Sequence, residues 1–368
     1  MQNSGYHRTA SEAEDKNSQS QLSIGGNASF STERLHIGVN GVHYNFAHTI
    51  TKAAYLYNAY ALSGKTAGNY SIDYSYTYKN VHFFGEAALD EDLDKAFING
   101  LIISVDSHVD MSFLYRKISR GYQSLYTSAF TENTFPTNES GFYSGISIAP
   151  VDYLRIDAYA DFYHFPWIKY RVDAPSGGND YMIQLTYKPN KRVEIYTRYH
   201  AERKGINYNP YDFTLNPVIV KPKKGLRTQF SCKLNSTFTF RSRAELSWFN
   251  KKGNAAQNGF LTYIDILYKP VLKPFSGNIR LQYFETDGYD SRLYAYEDDV
   301  LYSYSIPVFY DKGYRYYINI NYDINRTLSV WGRFAQAVYP DKNIIGSGLD
   351  QINGNKKSEI KLQLIFNF

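Results

Sequence analysis

The sequence predicts an all-β protein: an antiparallel transmembrane β-barrel of about 16–18 strands. Three observations carry that expectation. Segments of roughly 9–12 residues, the length that crosses a bilayer at a tilt, alternate apolar and polar side chains along most of the chain. Short connections alternate with long ones, as they do where tight turns close one rim of a barrel and loops the other. The final stretch, Ser358 to Phe368, is a two-faced strand that ends on an aromatic residue.

Taken in order, residues 1–20 read as a polar lead-in and 21–368 as the barrel. Strands are expected at about 22–31, 34–45, 67–77, 79–89, 96–105, 109–118, 141–149, 152–163, 180–188, 191–201, 226–235, 237–249, 258–269, 276–286, 314–323, 326–338 and 357–368. The alternation is clear in Tyr153–Tyr163. Leu154, Ile156, Ala158, Ala160 and Phe162 share one face, while Arg155, Asp157 and Asp161 share the other. Arg192, Glu194 and Arg198 oppose Val193 and Ile195, and Arg241, Arg243 and Glu245 oppose Phe240, Ala244 and Leu246. Tight turns are expected at Thr32-Glu33, near Lys79, at Ser107-His108, Pro150-Val151 and Pro189-Asn190, near Ser236 and at Ile324-Asn325. The long connections include about 46–66, 119–140, 164–179, 202–225, 287–313 and 339–357.

A soluble β-sandwich also alternates, with its apolar face turned inward, though its strands are commonly nearer ~5–6 residues. Bacterial single-chain barrels are usually even in strand number, and the expected strands number 17. No basic, apolar leader is visible at Met1-Gln2-Asn3-Ser4-Gly5. Two explanations stay open. The chain is the C-terminal part of a longer barrel that has upstream strands, or one strand is split wrongly or missed in this reading.

Composition narrows the class. Aromatics make up 17% of the chain and 37 residues are Tyr, which suits boundaries between apolar and wet surroundings. Mean hydropathy is −0.46, and no window approaches the ~18 apolar residues of a spanning helix. A strand-built membrane protein is compatible with both facts, since only alternate residues touch lipid. The net charge of +5 does not require a nucleic-acid partner. Cys232 is the sole cysteine, so no internal disulfide can form.

Candidate conduit residues follow from the polar faces: Arg155, Asp157, Asp161, Arg192, Glu194, Arg198, Arg241 and Arg243, with Arg227, Lys233, Glu245, Arg280 and Arg315 on the same pattern. Arginine outnumbers acid there, so a pore would lean toward anions. Loop acids Glu132, Glu139, Asp298 and Asp299 weigh the other way. The segment Phe165-Pro166-Trp167-Ile168-Lys169-Tyr170-Arg171 follows a strand and contains a ladder-breaking proline. Either it folds into the pore, lined by Lys169, Arg171 and Asp173, or it anchors a loop at the rim. The basic run Val218–Lys224 reads as a solvated loop that could meet phosphate. No GxSxG, HExxH, Walker or CxxC pattern occurs, and the histidines lack metal spacing. No catalytic, cofactor or metal residues are expected.

Two resemblances add to this reading. With Ile360, Leu362, Leu364, Phe366 and Phe368 on one face, the last strand resembles the assembly signal of Gram-negative outer-membrane barrels. That implies an outer-membrane location, contact with its lipid and lipopolysaccharide, and the barrel-assembly machinery as a partner. Three runs carry the second: Asn80–Leu89, Tyr115-Arg116 followed by Tyr122–Tyr126, and Asp161–Ser176. They resemble the barrel region of competence-protein-like outer-membrane proteins that have a helix-hairpin-helix segment near their N-terminus. The resemblance covers most of 5–205, and the helix-hairpin-helix segment is not in this sequence. Nucleic acid is implied as a partner only by that family likeness. The expected function is a conduit, or the barrel module of an envelope transport or uptake assembly with other envelope proteins as partners. The alternatives are an outer-membrane-embedded enzyme and a soluble β-sandwich binding module.

Overall fold

The computed structural model describes residues 5–208, 215–251 and 255–367. A five-residue helix, Ala10–Glu14, capped by the Thr9 hydroxyl, precedes the first strand. Seventeen strands then form one sheet. They are β1 (Gln21–Ser31), β2 (Leu35–Ile50), β3 (Gly64–Tyr78), β4 (Val81–Asp90), β5 (Lys95–Asp106), β6 (Val109–Ile118), β7 (Glu139–Val151), β8 (Leu154–Phe165) and β9 (Ser176–Asn190). There follow β10 (Val193–Asn207), β11 (Val218–Lys233), β12 (Phe238–Phe249), β13 (Gln257–Tyr268), β14 (Phe275–Thr286), β15 (Lys312–Asp323), β16 (Leu328–Val338) and β17 (Lys356–Phe366). Two-residue ladders, Leu293-Tyr294 with Val308-Phe309 and Ile344-Ile345 with Ile352-Asn353, lie in the two long connections before β15 and β17.

A strand forms at each expected place, with β2, β9, β10 and β11 running on into stretches read as connections, and local chemistry sets the turns. In the turns before β10, β12 and β16 the side chains of Asn190, Asn235 and Asn325 each accept two backbone N–H groups, two and three residues on, at 2.8–3.1 Å. This is the local competition with the ladder that makes Asn a turn residue. Lys79 bridges β3 and β4 with φ 53°. Two expectations are corrected. Arg192 was expected on a polar strand face, but the Asn190 turn holds it outside β10, which begins at Val193. Val218–Lys224 is not a solvated loop but the start of β11. Its run of Val, Ile and Val favours extended backbone, Lys223 and Lys224 pair with Phe249 and Trp248, and the Pro222 carbonyl accepts the Asn250 N–H at 2.7 Å.

Proximity divides the chain into two units. One contains the residues up to Ile146 with Tyr159–Asn179 and Lys204–Val220; the other contains Ser147–Ala158, Asp180–Arg203 and the residues from Lys221 on. Within the first, β1 to β6 pair antiparallel in chain order. Within the second, β12 to β17 do the same.

Burial in the second unit is inverted relative to a soluble protein. Ile264, Ile266, Ile279, Leu281, Ile318 and Ile320 occupy one face of β13 to β15 and are all exposed. On β17, Ile360 is 78% and Leu362 74% exposed. On the opposite face Asp265 is 0% and Arg280 1% exposed. Aromatic rings bracket the apolar band. Phe238, Tyr268 and Phe275 meet at the turn end, with centroids 5.1 and 5.9 Å apart. Phe260, Tyr283 and Tyr314 meet at the loop end, at 6.2 and 5.3 Å. On β13 and β14 alike, eight residues separate the two rings, or ~27 Å along a strand at ~3.4 Å per residue. A membrane barrel carries a band about 25 Å tall between two such girdles.

In the first unit Leu22, Ile24, Phe30, Val39, Tyr70 and Ile72 are likewise exposed, while Arg116 and Glu139 are buried. A β-sandwich would bury the apolar set, so the soluble alternative falls. Ile279, 43% exposed and four residues from either ring of β14, gives a direct check. Ile279→Arg should cost about 2–4 kcal/mol in lipid, the range for arginine on the lipid face near the bilayer midplane. The same change on a water-facing surface would move stability by about 0.5 kcal/mol or less. Equilibrium unfolding from lipid vesicles measures the difference.

Candidate functional site

The polar face of β12 to β17 brings charges side by side through register. Arg241 lies opposite Asp265, Asp265 opposite Arg280 and Arg280 opposite Tyr317. One step along, Asn319 lies opposite Arg333, and Arg333 opposite Lys361. Arg280 grips Asp265 with two N–H···O bonds of 2.5 and 2.7 Å and sits 3.7 Å over the Tyr263 ring. Arginine's planar fork suits this two-pronged pairing.

The long connection between β14 and β15 folds back onto this face. Its acidic run Glu297-Asp298-Asp299 meets the basic row residue by residue. Glu297, 0% exposed, accepts from Arg315 at 2.6 and 2.7 Å and also from Arg333. Asp298 accepts from Arg241 and from Asn278 at 3.1 Å, and its carbonyl accepts from Asn319 at 2.7 Å and from Arg333. Asp299 pairs with Lys361 at 2.6 Å. The Tyr296 carbonyl takes a third bond from Arg280, at 2.6 Å. Beside this polar clamp, Leu293, Ala295 and Phe309 form an apolar cluster with Leu261, Tyr263 and Phe284. Burial raises the Asp299 carboxyl's affinity for its proton, but the Lys361 ammonium, the Val300 N–H and the Arg333 guanidinium outweigh it and hold the pKa below the usual range.

The charges balance. Arg241, Arg280, Arg315, Arg333 and Lys361 stand against Asp265, Glu297, Asp298, Asp299 and Glu359. Within this cluster the strand arginines are therefore met by the loop acids together with Asp265.

The first unit uses the same device. Arg116, 1% exposed, donates to Glu139 at 2.6 Å and to both oxygens of Asp161 at 2.9 Å. Glu139 also accepts the backbone N–H groups of Glu132 and Asn133 at 3.0–3.1 Å, which fastens the connection between β6 and β7. The Phe165–Arg171 segment docks among loops of this unit. The Trp167 indole donates to the Leu56 carbonyl at 3.2 Å and meets the Tyr60 ring edge-on at 5.5 Å. Lys169 lies 3.3 Å over the Phe165 ring and 3.3 Å from Asn133 Oδ1. Arg171 adopts φ 62°. Asp173 accepts from the Asn216 N–H at 3.0 Å; that bond, then the Asn207 side chain, lowers its pKa.

The remaining candidates lie apart. Arg155 pairs with Asp157 at 2.8 Å. Glu194 pairs with Lys188 at 3.3 Å. Arg198 bonds Gln184 at 2.8 Å. Arg243 bonds Gln229 at 2.9 Å and lies 5.2 Å from the Tyr263 ring. Ile360, Leu362, Leu364 and Phe366 share the exposed face of β17, and Phe368 lies outside the described residues.

Buried charge within and exposed apolar side chains without, on strands of 10–16 residues, are the reverse of a water-soluble sheet. In hydrocarbon every backbone group must be paired, so a sheet spans only as a barrel. The fold is that of an outer-membrane β-barrel. Barrels of this kind reside in the bacterial outer membrane, which places the protein there. No protein-family model and no curated protein matches the chain.

Among solved structures the chain is similar to OmpT, an outer membrane protein of Vibrio cholerae, at 8% identity over 95% of each chain with TM-score 0.41. The copper transporter OprC matches at 10% identity over 86% of this chain and 60% of its own, with TM-score 0.48. OpdK of Pseudomonas aeruginosa, solved with vanillate, matches at 9% identity over 95% of this chain and 92% of its own, with TM-score 0.44. Identities and scores this low leave the fold to be judged on the barrel's own strands.

Sequence reasoning picked out Arg241, Arg280, Arg315, Asp298 and Asp299 one by one but did not join them, and it passed over Glu297, Arg333 and Lys361. A signal for the last two was present. Arg333 interrupts the apolar run Val330-Trp331-Gly332-Phe334 on its polar phase, as Lys361 does between Ile360 and Leu362.

Proposed function

We propose that the protein is a non-catalytic outer-membrane conduit whose passage is set by loops folded onto the polar strand face, acting in envelope transport or uptake. The observation that supports this most directly is the docking of 293–309 on the basic row, where Glu297 is fully buried between Arg315 and Arg333. Taking these ions out of water costs several kcal/mol each. A chain needing only a membrane scaffold would gain more from an apolar filling of the same volume. A charged, reversible clamp suits a plug that can be released. The likeness of residues 5–205 to competence-like barrels favours the finer reading of a barrel module for uptake, with envelope proteins and the barrel-assembly machinery as partners. Planar-bilayer conductance tests the proposal. The native chain should give small or rare openings, and deletion of 293–309 with a short glycine linker should give large, steady ones. A folded deletion variant with no more current than the native chain would reduce the protein to a scaffold.

A further inference from the structure

The first unit holds a cavity of about 220 Å³ between the polar faces of β2 to β6 and the connection 119–138. Its walls are largely apolar: Val42, Ala88, Ala96, Ile98 and Ile118 from the strands, and Phe130 and Pro136 from the connection. Two ionised side chains reach it. Arg116 is committed on all sides to Glu139 and Asp161 and has no charge left to offer. Glu86 has no hydrogen-bond or ion-pair partner among the described residues. The neighbouring polar atoms are Ser71, Asn69 and Tyr122; Asn69 Nδ2 contacts the Tyr122 hydroxyl at 3.5 Å and the Gln123 carbonyl at 2.8 Å. Burial, then the charges of Glu86 and Asp90, pushes the Tyr122 pKa up to about 12. The phenol stays neutral, and the site's unmatched charge is the Glu86 carboxylate.

We propose that this cavity binds a small organic cation, with its ammonium group on Glu86 and its apolar body against Val42, Ala88, Ile98 and Phe130. Glu86 is exposed to solvent at the edge of this apolar pocket, so a ligand that sets a positive charge on the carboxylate and apolar surface inside the pocket meets both. The volume lies below the ~300–1,000 Å³ of sites for drug-sized ligands, so the ligand is smaller than those. Phe130 can add a ring face to the cation. Ser71 and Asn69 can meet the remaining ammonium hydrogens.

The probes are benzylammonium, benzyl alcohol and benzoate, titrated against the full chain in detergent at neutral pH. Benzylammonium should bind best of the three. Glu86→Gln should weaken it about two- to fivefold, the range for losing a solvent-exposed ion pair, and leave benzyl alcohol unchanged. Ala88→Phe keeps the carboxylate but fills the cavity, and should abolish binding of all three. Heat-modifiable migration confirms that each variant is folded. Equal binding of benzylammonium to the native chain and to folded Glu86→Gln, preference for benzoate, or undiminished binding in folded Ala88→Phe would each overturn the proposal. Binding in detergent needs no current, so this result and the conductance result fail separately.

Discussion

Glu297→Ala should undock the 293–309 segment and cost about 3–5 kcal/mol, the range for breaking a buried ion pair from one side. The substitution leaves Arg315 and Arg333, both buried, without their shared carboxylate. Arg333 then keeps the Asp298 carbonyl, Asn319, the Tyr317 ring at 4.6 Å and a longer approach to Asp299, 3.8 Å from its Nε. Protease access reads the outcome. Leu293 and Phe309 are buried in the native chain whereas Tyr302 and Tyr304 of the same segment are exposed, so the chymotrypsin cuts that report undocking are those at Leu293 and Phe309. The double variant Glu297→Ala with Arg333→Met should recover a large part of the loss, because the stranded charge goes with its partner. If the single variant stays as resistant as the native chain, the clamp does not hold the loop.

Acid should reach the same open state. The folded pKa of Asp299 lies below its usual value. Its contribution is therefore present above the unfolded value of about 3.9 and is lost as pH falls through the lower, folded one. Loop protection should persist at pH 5 and fail only in stronger acid, below about pH 4.

The strands were legible because membrane insertion imposes a strict period of two on both faces at once. Ile264, Ile266, Ile279 and Leu281 could be assigned to a face from spacing alone, as could Asp265 and Arg280. Errors gathered where side-chain hydrogen bonding, not alternation, sets the backbone. The turn at Pro189-Asn190 was expected, but the Asn190 side chain extends it through Arg192, which therefore falls just before β10 and not on it. Pairing with β12 draws Lys223 and Lys224 into a strand although their charge reads as loop. The site was the least legible part, because its partners lie far apart in sequence. Asp298 meets Arg241 across 57 positions, and Asp299 meets Lys361 across 62. No local pattern encodes such a contact. What the sequence did contain was a matched inventory: acids in a loop and unpaired bases on the polar phase of several strands. Buried charges must find partners, so an excess on one side predicts its complement on the other.

The same reasoning gives the second large effect, at Arg116. Arg116→Met should destabilise the first unit by about 3–5 kcal/mol, because it strands two buried carboxylates at once, Glu139 at 0% and Asp161 at 5% exposure. Arg116→Lys should fall between the two. Its ammonium is a single point and cannot reproduce a fork that spans Glu139 on one side and both Asp161 oxygens on the other. Glu139→Gln should be milder than Arg116→Met, since the amide oxygen can still accept from Glu132 and Asn133 and Asp161 keeps its bidentate partner. Urea unfolding in detergent should therefore rank the chains native, Glu139→Gln, Arg116→Lys and Arg116→Met in falling stability. The ordering separates two accounts of the cluster. If Arg116 serves mainly as packing, methionine, with similar bulk and no charge, would be the mildest change of the three. If it serves to neutralise and orient, methionine is the worst, and hydrogen exchange should rise first at the amides of Glu132 and Asn133, whose acceptor loses its anchor.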